Sequence, residues 1–141
     1  MKSGISGTEE FEEYGELAAI KKFPNFTVER FGLKEWVIGK PKPEHIEQAY
    51  RALAAAEKSV ASGKFDMVIL DELLYAITMG LIKVEDVIKM LQKKAKQTEV
   101  VLTGSHKRIP ELEEIADLVS HIELVKHPYQ KGIPARIGTE F

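Results

Sequence analysis

The 141-residue sequence contains no cysteine, which excludes disulfide bonds, thiolate zinc sites and a thiol nucleophile. It contains no apolar run near the roughly 20 residues that a membrane-spanning helix needs. Its first residues also lack the basic-then-apolar order of a secretory signal peptide. The formal net charge is −2 and the pI is about 6.1, so charge does not favour nucleic acid or an anionic membrane as a partner. We therefore expect a cytoplasmic protein that binds neither nucleic acid nor membrane.

A further absence concerns phosphate binding. Nowhere does the sequence contain Gly-x-x-x-x-Gly-Lys-Ser/Thr, the loop whose backbone N–H groups and lysine hold the phosphates of a nucleotide. The segment Met1-Lys2-Ser3-Gly4 does not replace it, because no strand precedes it. The usual phosphate-binding loop is therefore missing from these 141 residues.

The sequence does contain an apolar strand that ends in two acids, Phe65-Asp66-Met67-Val68-Ile69-Leu70-Asp71-Glu72. The unbroken apolar run is typical of a parallel strand with both faces covered, and ligands of open α/β sheets bind beyond the carboxyl ends of such strands. We interpret Asp71 and Glu72 as Mg²⁺ ligands in a Walker B element, because this cation prefers oxygen. A solvated acidic turn would have the same pattern. Neighbouring residues of a strand point to opposite faces, so a glycosidase-like acid pair is not supported.

The rest of the chain alternates between predicted helices and strands. Helices are indicated by apolar residues at helical spacing between proline and glycine signals, and strands by short apolar or alternating runs. The predicted helices cover residues 16–22, 43–62, 73–79, 84–96 and a segment from Pro110, and the predicted strands cover 26–31, 65–70, 99–104, 121–125 and 135–141. This order indicates a single α/β domain over residues 1–141 with a mostly parallel sheet and a C-terminal hairpin around Gly132.

Polar residues also follow the second apolar strand. Thr103 and Gly104 end it, and a hydroxyl group beside an unhindered backbone N–H can reach a phosphate or a ribose. A tight turn from strand to loop would explain the same two residues. The next segment, Ser105-His106-Lys107-Arg108, carries three potential cations, which suit either phosphate binding or a solvated loop.

The four histidines show no metal-ligand spacing, and no Ser/His/Asp triad is indicated. His127 is a functional candidate because it lies between a predicted strand and a turn, near the ligand-binding edge. His45 is expected to be exposed on its helix. Trp36, with Phe31 nearby, lies in a polar connector, where it either covers a flat apolar ligand or closes the core under a long loop.

Five stretches of the sequence, in this order, resemble the ATP:cob(I)alamin (corrinoid) adenosyltransferases of the P-loop type. The stretches are Phe65 to Leu73, Val100-Val101-Leu102-Thr103-Gly104, Glu114-Ile115-Ala116-Asp117-Leu118-Val119, Val125-Lys126-His127-Pro128-Tyr129 and Gly132-Ile133-Pro134-Ala135-Arg136-Ile137-Gly138. The tail Gly138-Thr139-Glu140-Phe141 is similar to the end of the family as well. The resemblance covers nearly the whole chain and is strongest from Lys64 onward.

This resemblance implies a three-layer, RecA-like P-loop fold that binds ATP and a reduced corrinoid. In the family the Co(I) centre attacks the 5′ carbon of ATP and tripolyphosphate leaves, so the protein positions and desolvates the reactants and supplies no nucleophile. Asp71 and Glu72 would then serve Mg²⁺. The resemblance also implies that Trp36 and Phe31 pack against the corrinoid. The other expected substrate-binding residues are Thr103, Gly104, Lys126 and His127, near the ligand-binding edge.

The chain also departs from the family pattern. Met1-Lys2 resembles the end of the family's second strand, so a β-α-β unit of about 30 or more residues is missing before it. Ser105 stands where family members commonly carry arginine. We expect an adenosyltransferase-like chain with impaired catalysis that self-associates through an exposed sheet edge. One alternative is a non-catalytic relative that binds a corrinoid, a nucleotide or another subunit. Another is a P-loop ATPase fragment that acts on nucleic acid, but the acidic pI disfavours this alternative.

Overall fold

The computed structural model describes residues 15–33, 37, 39–134 and 136. Residues 30–117 belong to one compact unit, and the described residues before and after them belong to another. In chain order the elements are α1 (Gly15–Ile20), α2 (Pro43–Ala61), β1 (Met67–Leu70), α3 (Leu73–Thr78), α4 (Val84–Gln92), β2 (Glu99–Leu102), α5 (Pro110–Glu113) and a 3₁₀ helix (Pro128–Lys131). None of the described helices is long and apolar enough to cross a membrane.

The first unit is an α/β structure with a small parallel sheet, as predicted. β1 and β2 pair in parallel, with Met67 opposite Glu99 and Leu70 opposite Leu102. A parallel pair needs a long connection between its strands, and α3 and α4 provide it. The carboxyl ends of both strands therefore lie at the same edge of the sheet.

One face of this sheet packs on the hydrophobic core. In α2, Leu53 and Val60 are buried two helical turns apart, and in α4 Val87 and Met90 are buried one turn apart, as expected for amphipathic helices. Among the described residues, the buried apolar side chains are Leu53, Val60, Leu81, Ile82, Val87, Met90, Ile109 and Leu112. The other face of the sheet is open among the described residues, since Met67 and Ile69 are each 48% exposed.

The start of α2 differs from the sequence prediction at one residue. Pro43 occupies the first turn, as expected. His45, however, is buried, and its Nδ1 accepts a hydrogen bond from the Lys42 backbone N–H at 3.1 Å. The prediction of an exposed His45 is wrong because the side chain folds back to cap its own helix.

The predicted strands over residues 26–31 and 121–125 are wrong, because those described residues form no strand. Ile122 is 93% exposed and Val125 is 77% exposed, so these apolar side chains have no sheet face to pack on. The C-terminal hairpin therefore lacks its first strand. The 3₁₀ helix precedes Gly132 instead, and most of the predicted strand over residues 135–141 lies outside the described residues.

Two helices are shorter than predicted. α4 ends at Gln92, and the chain then turns toward the end of α2, where the Ala95 N–H donates to the Val60 carbonyl at 2.9 Å. α5 has a single turn, which leaves Ile115 and Leu118 50% and 84% exposed. In both cases the apolar periodicity continues beyond the helix that packs on the core.

Candidate functional site

The two acids lie in a turn, because β1 ends at Leu70. Glu72 has a left-handed backbone conformation, with φ of 61°, and α3 begins at the next residue. The alternation of side chains along a strand therefore does not apply to this pair. We call residues Asp71 and Glu72 the acidic turn.

Thr103 fastens the acidic turn to the end of β2. Its hydroxyl group donates to Asp71 Oδ1 at 2.5 Å and accepts a hydrogen bond from the Glu72 backbone N–H at 3.0 Å. Its backbone N–H donates to the Leu70 carbonyl at 3.2 Å, and its carbonyl accepts from the Leu74 N–H at 3.0 Å. Thr103 thus makes four hydrogen bonds, which hold the ends of both strands and the start of α3 next to one another.

Gly104 allows the loop after β2 to pass very close to this turn. A Cβ atom at this position would lie 3.0 Å from Glu72 Cα and 3.2 Å from Tyr75 Cδ2, and the φ of Gly104 is 102°. Only glycine allows both this close approach and this positive φ without strain. The tight turn that the sequence indicated is therefore present.

Ser105 continues the unusual backbone, with φ of 68°. A left-handed conformation costs a residue with a Cβ atom roughly 1–2 kcal/mol. The Ser105 hydroxyl group offsets part of this cost, because it donates to the Lys107 carbonyl and accepts from the Lys107 N–H, both at 2.9 Å. Strained backbone of this kind is typical of functional sites.

The carboxyl group of Glu72 has an unusual environment. Its Oε2 atom is buried and has no hydrogen-bond partner among the described residues. Burial, and then the negative charge of Asp71, raise the pKa of Glu72, while the nearby His106 acts in the opposite direction. A buried carboxylate oxygen without a partner is costly, and a bound cation would relieve that cost.

The donor atoms present fit a magnesium ion that is shared with a substrate. Among the described residues there is no group of three or more His, Cys, Asp or Glu side chains that could hold a metal by themselves. Mg²⁺ is commonly bound through one or two carboxylates, with water and substrate phosphates as its other ligands. Asp71, which is exposed, and Glu72 match this open kind of site and not a closed structural one.

Sequence reasoning missed a contact beside the acidic turn. The hydroxyl group of Tyr75 and Nε2 of His106 share a hydrogen bond, and the two rings meet edge to face with centroids 5.2 Å apart. The sequence pattern indicates His106 only as a potential cation and gives Tyr75 no role. The available signal was the position of Tyr75, one helical turn after Glu72 and therefore on the same side of α3.

The remaining sequence candidates have other surroundings. The guanidinium group of Arg108 pairs with the carboxylate of Glu113, which accounts for one of the three potential cations. Lys126 and His127 are exposed residues of the second unit, and His127 Nδ1 accepts from the Tyr129 N–H at 3.1 Å at the start of the 3₁₀ helix. Phe31 is half-buried, and Trp36 lies outside the described residues.

The acidic turn, Thr103 and Gly104 lie in a sequence that is similar to known proteins. The family described as ATP:corrinoid adenosyltransferase BtuR/CobO/CobP matches residues 8–141. The chain belongs to this family. The resemblance found in the sequence alone is thereby confirmed.

Individual relatives agree with the family match. The chain is 38% identical over 97 residues to a corrinoid adenosyltransferase from Sinorhizobium sp, which covers 68% of this chain and 45% of that protein. It is 36% identical over 88 residues to the corrinoid adenosyltransferase of Escherichia coli (strain K12), which covers 61% of this chain and 43% of that protein. The matched region thus spans less than half the length of these relatives.

Proposed function

We propose that this chain forms part of the site of an ATP:corrinoid adenosyltransferase. The reaction would transfer the 5′-deoxyadenosyl group of ATP to the Co(I) of a reduced corrinoid, with tripolyphosphate as the leaving group. The observation that carries the proposal is the contact of Thr103 with both residues of the acidic turn, at the carboxyl ends of parallel strands in a member of this family. We further propose that the complete fold is the three-layer, RecA-like P-loop type.

In this proposal Asp71 and Glu72 hold Mg²⁺ together with the nucleotide. The bound ion would neutralise charge on the triphosphate leaving group. Thr103 keeps the Asp71 carboxylate in place through its hydroxyl group, and the buried Glu72 oxygen gains the partner that it lacks among the described residues. The backbone after Thr103 approaches the same edge, so the N–H of Gly104 is available for a phosphate or ribose oxygen.

The other substrate-binding roles rest on family similarity. We propose that Phe31 and Trp36 pack against the corrinoid, and that Lys126 and His127 contact the bound substrates. Because the cobalt of the corrinoid is the nucleophile, the side chains need only position the two substrates and exclude water. The sequence indicates no Ser/His/Asp triad.

We also propose that the chain by itself is impaired in catalysis. These 141 residues contain no glycine- and lysine-containing phosphate loop, so triphosphate binding should be weak. The test is anaerobic adenosylation of reduced corrinoid by the 141-residue chain with Mg-ATP, followed by the absorbance change of the corrinoid. We expect little turnover, and robust turnover would contradict the impairment.

A matched pair of variants tests the acidic turn in the same assays. Asp66 and Asp71 flank β1 at its two ends, and only Asp71 contacts Thr103. Asp71→Asn should weaken Mg-ATP binding about ten-fold or more through loss of a charged ligand, while Asp66→Asn should leave it unchanged. Equal affinities for the two variants would contradict the proposed magnesium site.

Because these 141 residues contain no phosphate loop, a second candidate is that they bind a corrinoid or a nucleotide without catalysing the transfer by themselves. Binding of either ligand without turnover, measured by calorimetry on the same chain, would support this candidate. If neither ligand binds, an assembly role with another subunit becomes the better proposal.

A further inference from the structure

Among the described residues, residues 103–107 after β2 are joined to the acidic turn and α3 at two points. The first is Thr103, whose hydroxyl group and backbone bond to the acidic turn, Leu70 and Leu74. The second is His106, whose imidazole ring contacts Tyr75 on α3 through a hydrogen bond and an edge-to-face ring contact. Between these two points lie Gly104 and Ser105, both at positive φ.

The second attachment has a clear physical consequence. A segment with two successive residues at positive φ turns sharply. The left-handed conformation of Ser105 is one that residues with a Cβ atom rarely adopt. Among the described residues, the Ser105 hydroxyl group is bonded within the loop, to Lys107. Among the described side chains, the contact of His106 with Tyr75 therefore joins residues 105–107 to α3.

The same contact keeps the loop over the acidic turn. The backbone of Gly104 lies against Glu72 and the Tyr75 ring, as the 3.0 Å and 3.2 Å approaches of a hypothetical Cβ atom show. Burial raises the pKa of Tyr75, and the negative charge of Glu72 is the next cause.

We propose that Tyr75 and His106 are positioning residues that hold residues 104–107 over the acidic turn, so that the loop is ordered before a nucleotide binds. Neither side chain needs to touch the reacting atoms. The pair sets the position of the loop backbone, and under the proposed function that backbone would contribute to nucleotide binding. The role in nucleotide binding rests on the proposed function, whereas the ordering of the loop does not.

The test uses a matched pair of tyrosine variants. Tyr75→Phe removes the hydroxyl group and keeps the ring that packs against Gly104. Tyr50→Phe is the control, because the Tyr50 hydroxyl group also makes a side-chain hydrogen bond, to Asp86 at 2.8 Å, but between α2 and α4. His106→Leu removes the other partner, and His106→Gln retains a group that can bond to the phenol.

Amide hydrogen exchange of the ligand-free protein is the first measurement. Loss of one hydrogen bond should speed exchange in residues 105–107 about five-fold in Tyr75→Phe and His106→Leu. His106→Gln should remain closer to the wild type, and Tyr50→Phe should not change this segment. Unchanged exchange in Tyr75→Phe and His106→Leu would overturn the proposal.

Mg-ATP affinity is the second measurement. If the loop is pre-ordered for the nucleotide, the dissociation constant should rise about five-fold in Tyr75→Phe and stay unchanged in Tyr50→Phe. Faster exchange with unchanged Mg-ATP affinity would overturn the role of the pair in nucleotide binding, but not its role in ordering the loop. Absence of Mg-ATP binding by the wild type would instead contradict the proposed function, and the exchange data would still decide whether the pair orders the loop.

Discussion

At the end of β2, the hydroxyl group of Thr103 uses both its donor and its acceptor capacity on neighbouring residues of another loop. No other side chain in the described part of the chain bonds to both residues of the acidic turn. A serine would offer the same atoms but less restriction of χ1, because threonine is branched at Cβ. The side chain thereby fixes where the Asp71 carboxylate lies.

Replacement of Thr103 by valine should therefore affect both stability and binding. Thr103→Val keeps the shape but leaves the Glu72 N–H and Asp71 without this partner, which should lower the free energy of unfolding by about 1–2 kcal/mol. Mg-ATP affinity should also fall about five-fold or more. Urea denaturation and calorimetric titration measure the two effects.

The control for this variant is at the other end of the same strand. Thr98 is buried and its hydroxyl group donates to the Phe65 carbonyl at 2.8 Å. Thr98→Val should lose a similar amount of stability but no Mg-ATP affinity. An equal loss of affinity in both variants would show that general destabilisation, and not the acidic turn, is responsible.

The raised pKa of Glu72 predicts how stability depends on pH. The folded state holds the Glu72 proton more tightly than the unfolded state does, because burial and Asp71 both disfavour the charge. In magnesium-free buffer, the tighter proton binding at Glu72 stabilises the folded state below the ordinary carboxyl pKa of 4.5. This stabilisation is lost as pH rises through the raised pKa. Glu72→Gln removes the titration, so the stability of this variant relative to the wild type should increase with pH across that window.

Denaturant unfolding at a series of pH values between about 4 and 8 checks this prediction. Glu47→Gln, at an exposed position of α2, is the control and should follow the wild type. Parallel pH profiles of Glu72→Gln and the wild type would contradict the burial of a charge-sensitive carboxyl group at this position.

At the residue scale, the sequence predicted which residues meet but not how they meet. Asp71, Glu72, Thr103 and Gly104 were identifiable because parallel strands place their carboxyl ends at one edge. The left-handed turn at Glu72 and the contact of Tyr75 with the loop depend on tertiary packing, which no local pattern encodes. Their substrate-binding roles stay predictions.

At the scale of the elements, α2 and α4 form the packed side of the sheet. Met90 of α4 is fully buried in the core, and the phenol of Tyr50 on α2 bonds to Asp86 on α4. Two helices with interlocking apolar stripes exclude water from the face of the sheet that carries Val68, Leu70, Val100 and Leu102. This packing supports the strands whose ends form the candidate site.

Shortening the buried side chain of α4 should be costly. Met90→Ala leaves a cavity in the core and should lower the free energy of unfolding by about 2–5 kcal/mol. Ile46→Ala, at a position of α2 that is 38% exposed, should cost less than about 1 kcal/mol. Urea unfolding of both variants checks the difference, and similar losses would contradict the assigned core.

The elements that sequence reasoning predicted well are those that pack on this core. α2, β1, α3 and β2 appear within a few residues of their predicted bounds because apolar periodicity and Gly or Pro signals agree there. Residues 26–31 and 121–125 have strand-like patterns, but no strand pairs with them within the described part of the chain. A strand needs a partner for its backbone groups, and a single-sequence pattern does not reveal whether one is present.

At the scale of the whole molecule, the sheet has an exposed apolar face and unpaired edges among the described residues. Met67, Ile69 and Val101 are exposed, and β1 and β2 are the only strands that pair there. Exposed edges and faces of this kind promote pairing between chains. We therefore retain the prediction that the chain self-associates through its sheet.

Ile69→Lys should reduce this self-association, because a charge on an edge strand opposes pairing with a second chain. Ile115→Lys is the control, since Ile115 is 50% exposed and lies outside the sheet. Sedimentation velocity over a range of concentrations should show less association for Ile69→Lys only. A monomeric wild type at high concentration would contradict the prediction.

The register of the two strands limits how the sequence can change in length. β1 and β2 pair residue for residue from Met67 opposite Glu99 to Leu70 opposite Leu102. Deletion of one residue within β2 would shift the following backbone by about 3.3 Å and turn each later side chain to the opposite face. The threonine hydroxyl would then point away from the carboxylate it now contacts, so natural or engineered insertions and deletions should occur outside the interval between Thr98 and Gly104.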